Sequence, residues 1–364
     1  MKCIQFDRQK EYIRDFIRLP RQLYSRTENM ENPEEVQKFL LGTHPLSKYF
    51  AMHKFLVYDG EKAVGRFVIT VYPGDEAAYI GFFECVDDSM VAAFLFRMAR
   101  DCAKSVGCTK LVGPVNASFW TGYRLKSNLF DEKPYTGEPY NKEYYLKLFQ
   151  DNGFQVCHHY TSNGYGKVET VDALYDDRYL DFLKKGYRIV SPKIWNFRRV
   201  TKELYELITD LYSDFPVYKD VEYKDFAAVF SDYRYIINMS MVKMAYYDGR
   251  PVGFFVSVPD YGNSVYHLNS LPNLIKLLVI RRKPKRYVML YMGVHQEHRG
   301  LGKALVGCIM DELKKSGLSS IGALAGDGKP TQKYGEEHIE RQYEYVLLEQ
   351  MLEKEQTDKS EMIS

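Results

Sequence analysis

The residues best placed to do chemistry lie near the C-terminus, in YMGVHQEHRGLGKALVGCIMDELKKSG, Tyr291 to Gly317. Apolar residues run to Val294, a polar turn carries Arg299, Gly300 and Gly302, and a helical pattern follows. A helix start offers unpaired backbone N–H groups and a partial positive charge, so a phosphate can sit there directly. Gly300 and Gly302 remove the Cβ atoms that would hold a phosphate away, and Ala304 keeps the next turn narrow. Spacing excludes two phosphate-binding loops. A Walker loop needs glycine where Glu297 stands and Ser or Thr where Ala304 stands. A dinucleotide fingerprint needs a third glycine where Leu305 stands, inside a βαβ unit that the preceding hairpin pattern does not supply.

The elements that must position this turn occur twice. KFLVYDGEKAVGRFVITVYP (Lys54 to Pro73) parallels VKMAYYDGRPVGFFVSVPD (Val242 to Asp260). Each reads as a strand, an Asp-Gly hairpin turn and a second strand. Beyond them AAYIGFFECV, a helical stretch and TKLVGPV parallel YVMLYMGV, LGKALVGCIMDELKKSG and SSIGALA. Both helical stretches end at a glycine, Gly107 or Gly317, with lysine in the last turn. The expected units are 1–165 and 187–350, joined by a helix-bearing linker at 166–186 and followed by a disordered tail at 351–364. Roughly Gly262 to Lys285 is an insertion in the second unit only. Thr201 reads as the N-cap of a helix whose apolar face is Leu204, Leu207, Ile208 and Leu211.

Composition narrows the class. The chain has 364 residues, 45% hydrophobic and 27% charged, with net charge +2. That is an ordinary soluble composition without the charge for bulk nucleic-acid binding. No run approaches a membrane span and no apolar signal core opens the chain, so a cytoplasmic protein without membrane partners is expected. The six cysteines form no C-x-x-C pair and the eight histidines are scattered, which suggests neither a metal site nor a disulfide framework. The basic run RRKPKR, Arg281 to Arg286, precedes the strand that ends at Val294. Eight strand residues put it about 26 Å from the phosphate turn. It reads as a solvated loop or an attractor for an acidic acceptor.

A third pattern fits the turn: V-x-P-x-x-[RQ]-G-x-G-x-[AG], met here by Val294, Gln296 in the proline place, Arg299, Gly300, Gly302 and Ala304. It resembles the acyl-CoA-binding motif of the GNAT N-acetyltransferase superfamily. The order of helices, hairpin, strand-turn-helix, strand and helix is similar too. FIRLPRQLY, GFFECVDD, LVGPVNAS and YNKEYYLKLFQDNGF resemble a bacterial group of two-domain GNAT proteins. The resemblance implies an α+β fold with mixed sheet, two tandem GNAT-like acyl-CoA N-acyltransferase folds. It implies acetyl-CoA as cosubstrate, no metal, and an amine acceptor on a small molecule or peptide, in a monomer or homodimer. Met292, Val294, Arg299, Gly300, Leu301, Gly302, Lys303 and Ala304 would hold the cofactor. Asp327 would stand where the family places an Asn on the pantetheine arm, and Tyr334 where it places a proton-donating tyrosine. Asn116 and Tyr123 repeat that spacing in the first unit.

The base is open. The family often uses a Glu on the strand before the turn, where this second unit has none and the first has Glu84. His267, Tyr291 and His295 are the alternatives. With Val86 placed on Val294, the first unit shows Val91, Ala92, Phe94 and Phe96 at the positions of Arg299, Gly300, Gly302 and Ala304, behind Asp87 and Asp88. It reads as a copy that no longer binds CoA and shapes the acceptor pocket instead. A non-catalytic CoA-binding module and a Fem-like aminoacyl transferase are the other readings.

Overall fold

The computed structural model describes residues 1–266 and 271–353, which leaves His267 and most of the expected tail outside the described residues. The strands are β1 (Lys2–Phe6), β2 (Ala51–Asp59), β3 (Lys62–Val71), β4 (Ala77–Cys85), β5 (Lys110–Gly113), β6 (Leu125–Lys126), β7 (Gln155–Tyr165), β8 (Arg188–Val190), β9 (Val242–Tyr247), β10 (Arg250–Pro259), β11 (Arg286–Val294), β12 (Ser319–Gly326) and β13 (Ile339–Met351). The helices are α1 (Lys10–Arg18), α2 (Pro20–Leu23), α3 (Pro33–Leu41), α4 (Ser89–Ser105), α5 (Tyr145–Asp151), α6 (Ala173–Lys184), α7 (Phe197–Leu211), α8 (Tyr223–Val229), α9 (Tyr233–Ile236), α10 (Leu271–Arg282) and α11 (Leu301–Ser316).

The Asp-Gly turns close β2–β3 and β9–β10, with Gly60 at φ 59° and Gly249 at φ 77°. These are left-handed values that glycine adopts without a Cβ penalty. All thirteen strands join one mixed sheet in the order β1-β2-β3-β4-β5-β13-β7-β12-β11-β10-β9-β8, with β6 on β13. Read inward from either edge, the two halves repeat. β1 to β5 correspond to β8 to β12, and α4 to α11. The sheet is continuous and pseudo-symmetric, so the repeat in the sequence is a repeat in the fold.

The centre of the sheet holds a strand exchange. β7, from the first half of the chain, lies beside β12, while β13, from the last residues, lies beside β5. Each half's last strand thus completes the other half's sheet, and β7 and β13 pair antiparallel between them. One face of the sheet is covered by α1, α3, α7 and α8 over a single apolar core that runs through both halves and includes Phe16, Phe39, Leu207 and Phe226. On the other face α4 and α5 cover the first half, α6 and α11 the second.

A buried polar cluster locks the exchanged strand. Lys126 and Glu138, both fully buried, pair at 2.8 Å. Tyr345 of β13 donates to Glu138 Oε1 at 2.7 Å, and the Tyr135 amide donates to Oε2 at 3.2 Å. Removing one partner of such a pair strands the other's charge in a dry site, whereas removing both does not. Lys126→Met is therefore expected to lower stability by about 3–5 kcal/mol. Lys126→Met with Glu138→Leu should recover part of that loss, read as the midpoint of denaturant unfolding.

Two local readings change. Helix α7 starts at Phe197, so Thr201 is not its N-cap; the Thr201 hydroxyl instead donates to the Phe197 carbonyl at 2.8 Å. Among the described residues no α-helix follows β12. Pro330–Lys333 and Glu336–His338 form short 3₁₀ turns before β13, in a stretch punctuated by Pro330, Gly328 and Gly335. The final helix expected from the family's element order is absent there.

Candidate functional site

In each half the two parallel central strands begin paired and then part. β4 and β5 pair from Ala77–Tyr79 to Lys110–Val112, and β11 and β12 from Arg286–Met289 to Ser319–Gly322. Beyond those residues each pair forms a fork whose inner backbone groups need partners. The two forks are treated differently.

The first fork is plugged by its own chain. The Val115 amide donates to the Ile80 carbonyl at 2.7 Å, and the Phe82 amide to Asn116 Oδ1 at 2.7 Å. A Cβ at Gly81 would stand 1.8 Å from the Val115 carbonyl, so only glycine permits this approach. The helix start behind the plug is sealed as well. Asp88 caps α4, its Oδ1 accepting from the amides of Met90 at 2.8 Å and Val91 at 3.2 Å. A carboxylate on those donors leaves them nothing for a phosphate.

The second fork is open. Leu290–Met292 of one arm and Ala323–Gly326 of the other line a cavity of about 1630 Å³ that both halves of the chain share. At its end the chain turns into α11 through Gly300, the N-cap, at φ 96°. No side chain caps this helix. Arg299 is exposed, Lys303 is half-buried, and Gly302, Leu301 and Ala304 are buried. Helix α6 supports the turn from outside: Tyr175 packs against Gly307, and Phe182 lies beside Gly300. His298 Nδ1 hydrogen-bonds the Tyr187 hydroxyl at 2.6 Å, and His295 pairs with Asp210 at 3.0 Å. These residues fit a pyrophosphate at the turn and an extended chain in the fork. They present free donors, a nearby cation and room that a side chain would otherwise fill.

Strand register corrects the alignment of the two turns. Gly65 pairs with Cys85 and Gly253 with Val294, so Cys85, not Val86, corresponds to Val294. The buried faces of the helices match Val91, Ala92, Leu95, Phe96, Ala99 and Ala103 to Leu301, Gly302, Leu305, Val306, Ile309 and Leu313. The counterpart of Gly302 is therefore Ala92, and that of Ala304 is Phe94. Phe96 does not fill the groove; it stacks on Phe83 in the core.

The same register places Glu84 opposite Arg66 and Gly293 opposite Phe254, so Gly293 stands where Glu84 stands in the first half. A Cβ at Gly293 would lie 2.7 Å from both Leu211 Cδ1 and Phe254 Cε1. The second fork has no room for a carboxylate there. Glu84 itself lies in a buried cluster with Arg66 at 3.6 Å and the Tyr145 hydroxyl at 2.6 Å, and burial pushes its carboxyl up to about 7.

Tyr334 follows the first 3₁₀ turn, with its carbonyl accepting from the Tyr165 hydroxyl at 2.8 Å. Its own hydroxyl lies over Gly302, 2.8 Å from where a Cβ would be, with the Met292 methyl at 3.0 Å from the same point. Burial raises its pKa and holds the proton on. The Met292 carbonyl accepts from the Tyr212 hydroxyl at 3.0 Å. Tyr212 was not singled out from sequence, where it is one tyrosine among 31. Asp327 is exposed, and its Oδ1 accepts from Gln332 Nε2 at 3.0 Å within its own turn. Tyr291 lines the cavity. In the basic run, Arg286 makes a two-pronged pair with Asp260 at 2.6 and 2.9 Å, while Arg281 and Arg282 end α10.

Open fork, glycine turn and paired halves define a class, two GNAT-like folds in tandem. Residues 201–334 match the acetyltransferase (GNAT) family, so the match falls on the half with the open fork. The curated protein YghO of Escherichia coli (strain K12) is 20% identical over 275 residues, 71% of this chain and 69% of that protein. A tandem GNAT protein from the clavulanic acid biosynthesis pathway, solved without AcCoA, superposes with a TM-score of 0.54 at 12% identity, over 97% of this chain and 99% of its own. A GCN5-related N-acetyltransferase from Kribbella flavida gives 0.50 at 9% identity, over 96% and 72%. Among the described residues no group of three or more His, Cys, Asp or Glu could hold a metal ion, and no helix is long and apolar enough to cross a membrane.

Proposed function

We propose that the protein is an acyl-CoA-dependent N-acetyltransferase that works through its second fork alone. The observation that carries this reading is the contrast between the forks. One is plugged by Val115 and Asn116 and capped by Asp88; the other is open and ends at an uncapped glycine turn. Acetyl-CoA supplies the acyl group as a thioester. Amides of Gly300 to Ala304, with Arg299 and Lys303, would hold its pyrophosphate. Met292 and Val294 would flank the arm in the fork, with Asp327 near its outer end. Tyr334 holds a proton for the departing sulfur, and Tyr212 fixes the Met292 carbonyl. With Gly293 in the family's usual place for the base, the attacking amine loses its proton to solvent or to a group lining the cavity.

The bare Gly293 position also favours a second reading, a module that binds acyl-CoA without turnover. A thiol-release assay with acetyl-CoA and a panel of primary amines separates the two. Transfer predicts acceptor-dependent thiol release and an acetylated amine by mass spectrometry. Tight acetyl-CoA binding with no release for any amine would leave the binding module.

A further inference from the structure

The hairpin that plugs the first fork also carries a cation into the shared cavity. Val115 and Tyr123 bridge its two arms, and Arg124 follows directly. Arg124 sits at φ 97°, a conformation that a side chain adopts only when its surroundings hold it there. Its guanidinium sits in the corner of two nearly perpendicular rings, 3.9 Å from the centroid of Tyr123 and 4.1 Å from that of Tyr160. Nη2 donates to the Tyr123 hydroxyl at 2.6 Å, and Nε is buried without a partner. No ion pair among the described residues includes Arg124, whereas the buried cations of this half, Lys54, Arg66 and Lys126, each have a carboxylate.

Its neighbours put it at the mouth of the open fork. Tyr160 lies against Gly326 at the end of β12, 3.6 Å from where a Cβ would be. On the other arm, Tyr212 holds the Met292 carbonyl, and Tyr212 and Tyr291 line the same cavity as Arg124. Arg124 thus lies among groups of both arms, and the N–H groups at the Gly300 turn already provide for the phosphates. A half-buried guanidinium with an unused donor lacks the partner that would offset its desolvation. A planar guanidinium suits a carboxylate, and the two perpendicular tyrosine rings hold it in place for one.

We infer that Arg124 binds a carboxylate of the acceptor, so that the substrate class is amines that also carry a carboxylate, such as amino acids or short peptides with a free C-terminus. This rests on the transfer reading above and gives the plugged half a task, the recognition of the acceptor's acidic end.

The test uses the full chain with acetyl-CoA and a panel of the twenty L-amino acids and their glycyl dipeptides, each beside its carboxamide. Wild type should prefer acids over the matching amides by about 10- to 100-fold in kcat/KM, the range expected for a charge-assisted pair. Arg124→Gln should remove that preference by lowering the acids alone, with amide rates and acetyl-CoA affinity unchanged. Arg124→Lys should retain part of it. Amides used as well as acids, or an equal loss for both in Arg124→Gln, would overturn the inference and leave transfer standing. If no amine reacts although acetyl-CoA binds, transfer itself fails. Calorimetry of the same acids with the acetyl-CoA-loaded protein then decides the site: binding lost in Arg124→Gln supports it, and no binding to wild type overturns it.

Discussion

Gly302→Phe should abolish acetyl-CoA binding, with affinity lower by at least about 100-fold, or about 2.7 kcal/mol. A side chain at this position points at the Tyr334 hydroxyl and the Met292 methyl, so it enters the groove between the glycine turn and the open fork. Both obstacles are the free ends of side chains, which can shift, and the fold should survive with an unchanged circular dichroism spectrum. The substitution does not reproduce the first half, whose residue at this position is Ala92; it adds a steric block that the first half achieves with Asp88 and Val115. Arg299→Glu is a companion that cannot act through packing, because Arg299 is exposed. It puts a negative charge at the helix start and should weaken binding by about 5- to 30-fold, more at low salt than at high. Calorimetry reads both. Unchanged affinity in Gly302→Phe would show that acetyl-CoA binds elsewhere.

The parts of this molecule visible in the sequence are those set by local geometry. Asp59-Gly60 and Asp248-Gly249 announce their hairpins because the turn demands positive φ. Gly300 and Gly302 announce a phosphate turn because spacing alone distinguishes it from other glycine loops. The halves are equally visible, since four strands and a helix recur in the same order. The exchange of β7 and β13 was not. β7 reads QVCHHYTSNGY and β13 reads IERQYEYVLLEQM, and nothing local in either says whose sheet it will finish. The plug was hidden for another reason. It is made by the backbone of Val115 and the amide oxygen of Asn116, and the glycine it needs at Gly81 looks like any glycine in a strand. The equivalence of the two turns is obscured in the sequence because α4 begins nearer its strand than α11 does. Strand register puts Gly293 at the position of Glu84, and the buried helix faces put Gly302 at that of Ala92. Arg124 carried no signal at all. An arginine between a tyrosine and a leucine becomes informative only once the rings of Tyr123 and, from β7, Tyr160 meet it and no carboxylate of the described residues reaches it.

Tyr334→Phe tests the chemistry, and its outcome depends on which end of the cofactor the hydroxyl serves. The substitution keeps the ring, its packing and the carbonyl that accepts from Tyr165. It removes one proton from the groove. If that proton goes to the departing sulfur, turnover should fall by about 10- to 1000-fold, the range for a general acid that water replaces in part. Acetyl-CoA affinity should then hardly change. Burial raises the tyrosine's pKa, so the wild-type hydroxyl stays protonated through neutral pH, and the deficit of the variant should shrink toward lower pH as solvent acid substitutes. The position of the hydroxyl over Gly302 sets the opposing expectation. A tyrosine that binds the pyrophosphate would lose acetyl-CoA affinity on conversion to Phe, and turnover at saturation would stay intact. Asp327→Asn separates the turn from the chemistry, because an Asn oxygen can still accept from Gln332 as the carboxylate does. It should leave acetyl-CoA binding equal or tighter, since it removes a negative charge near the fork without opening the turn that leads to Tyr334. Full turnover and full affinity in Tyr334→Phe would make the residue a packing tyrosine, and the proton would have to reach the sulfur through water in the open fork.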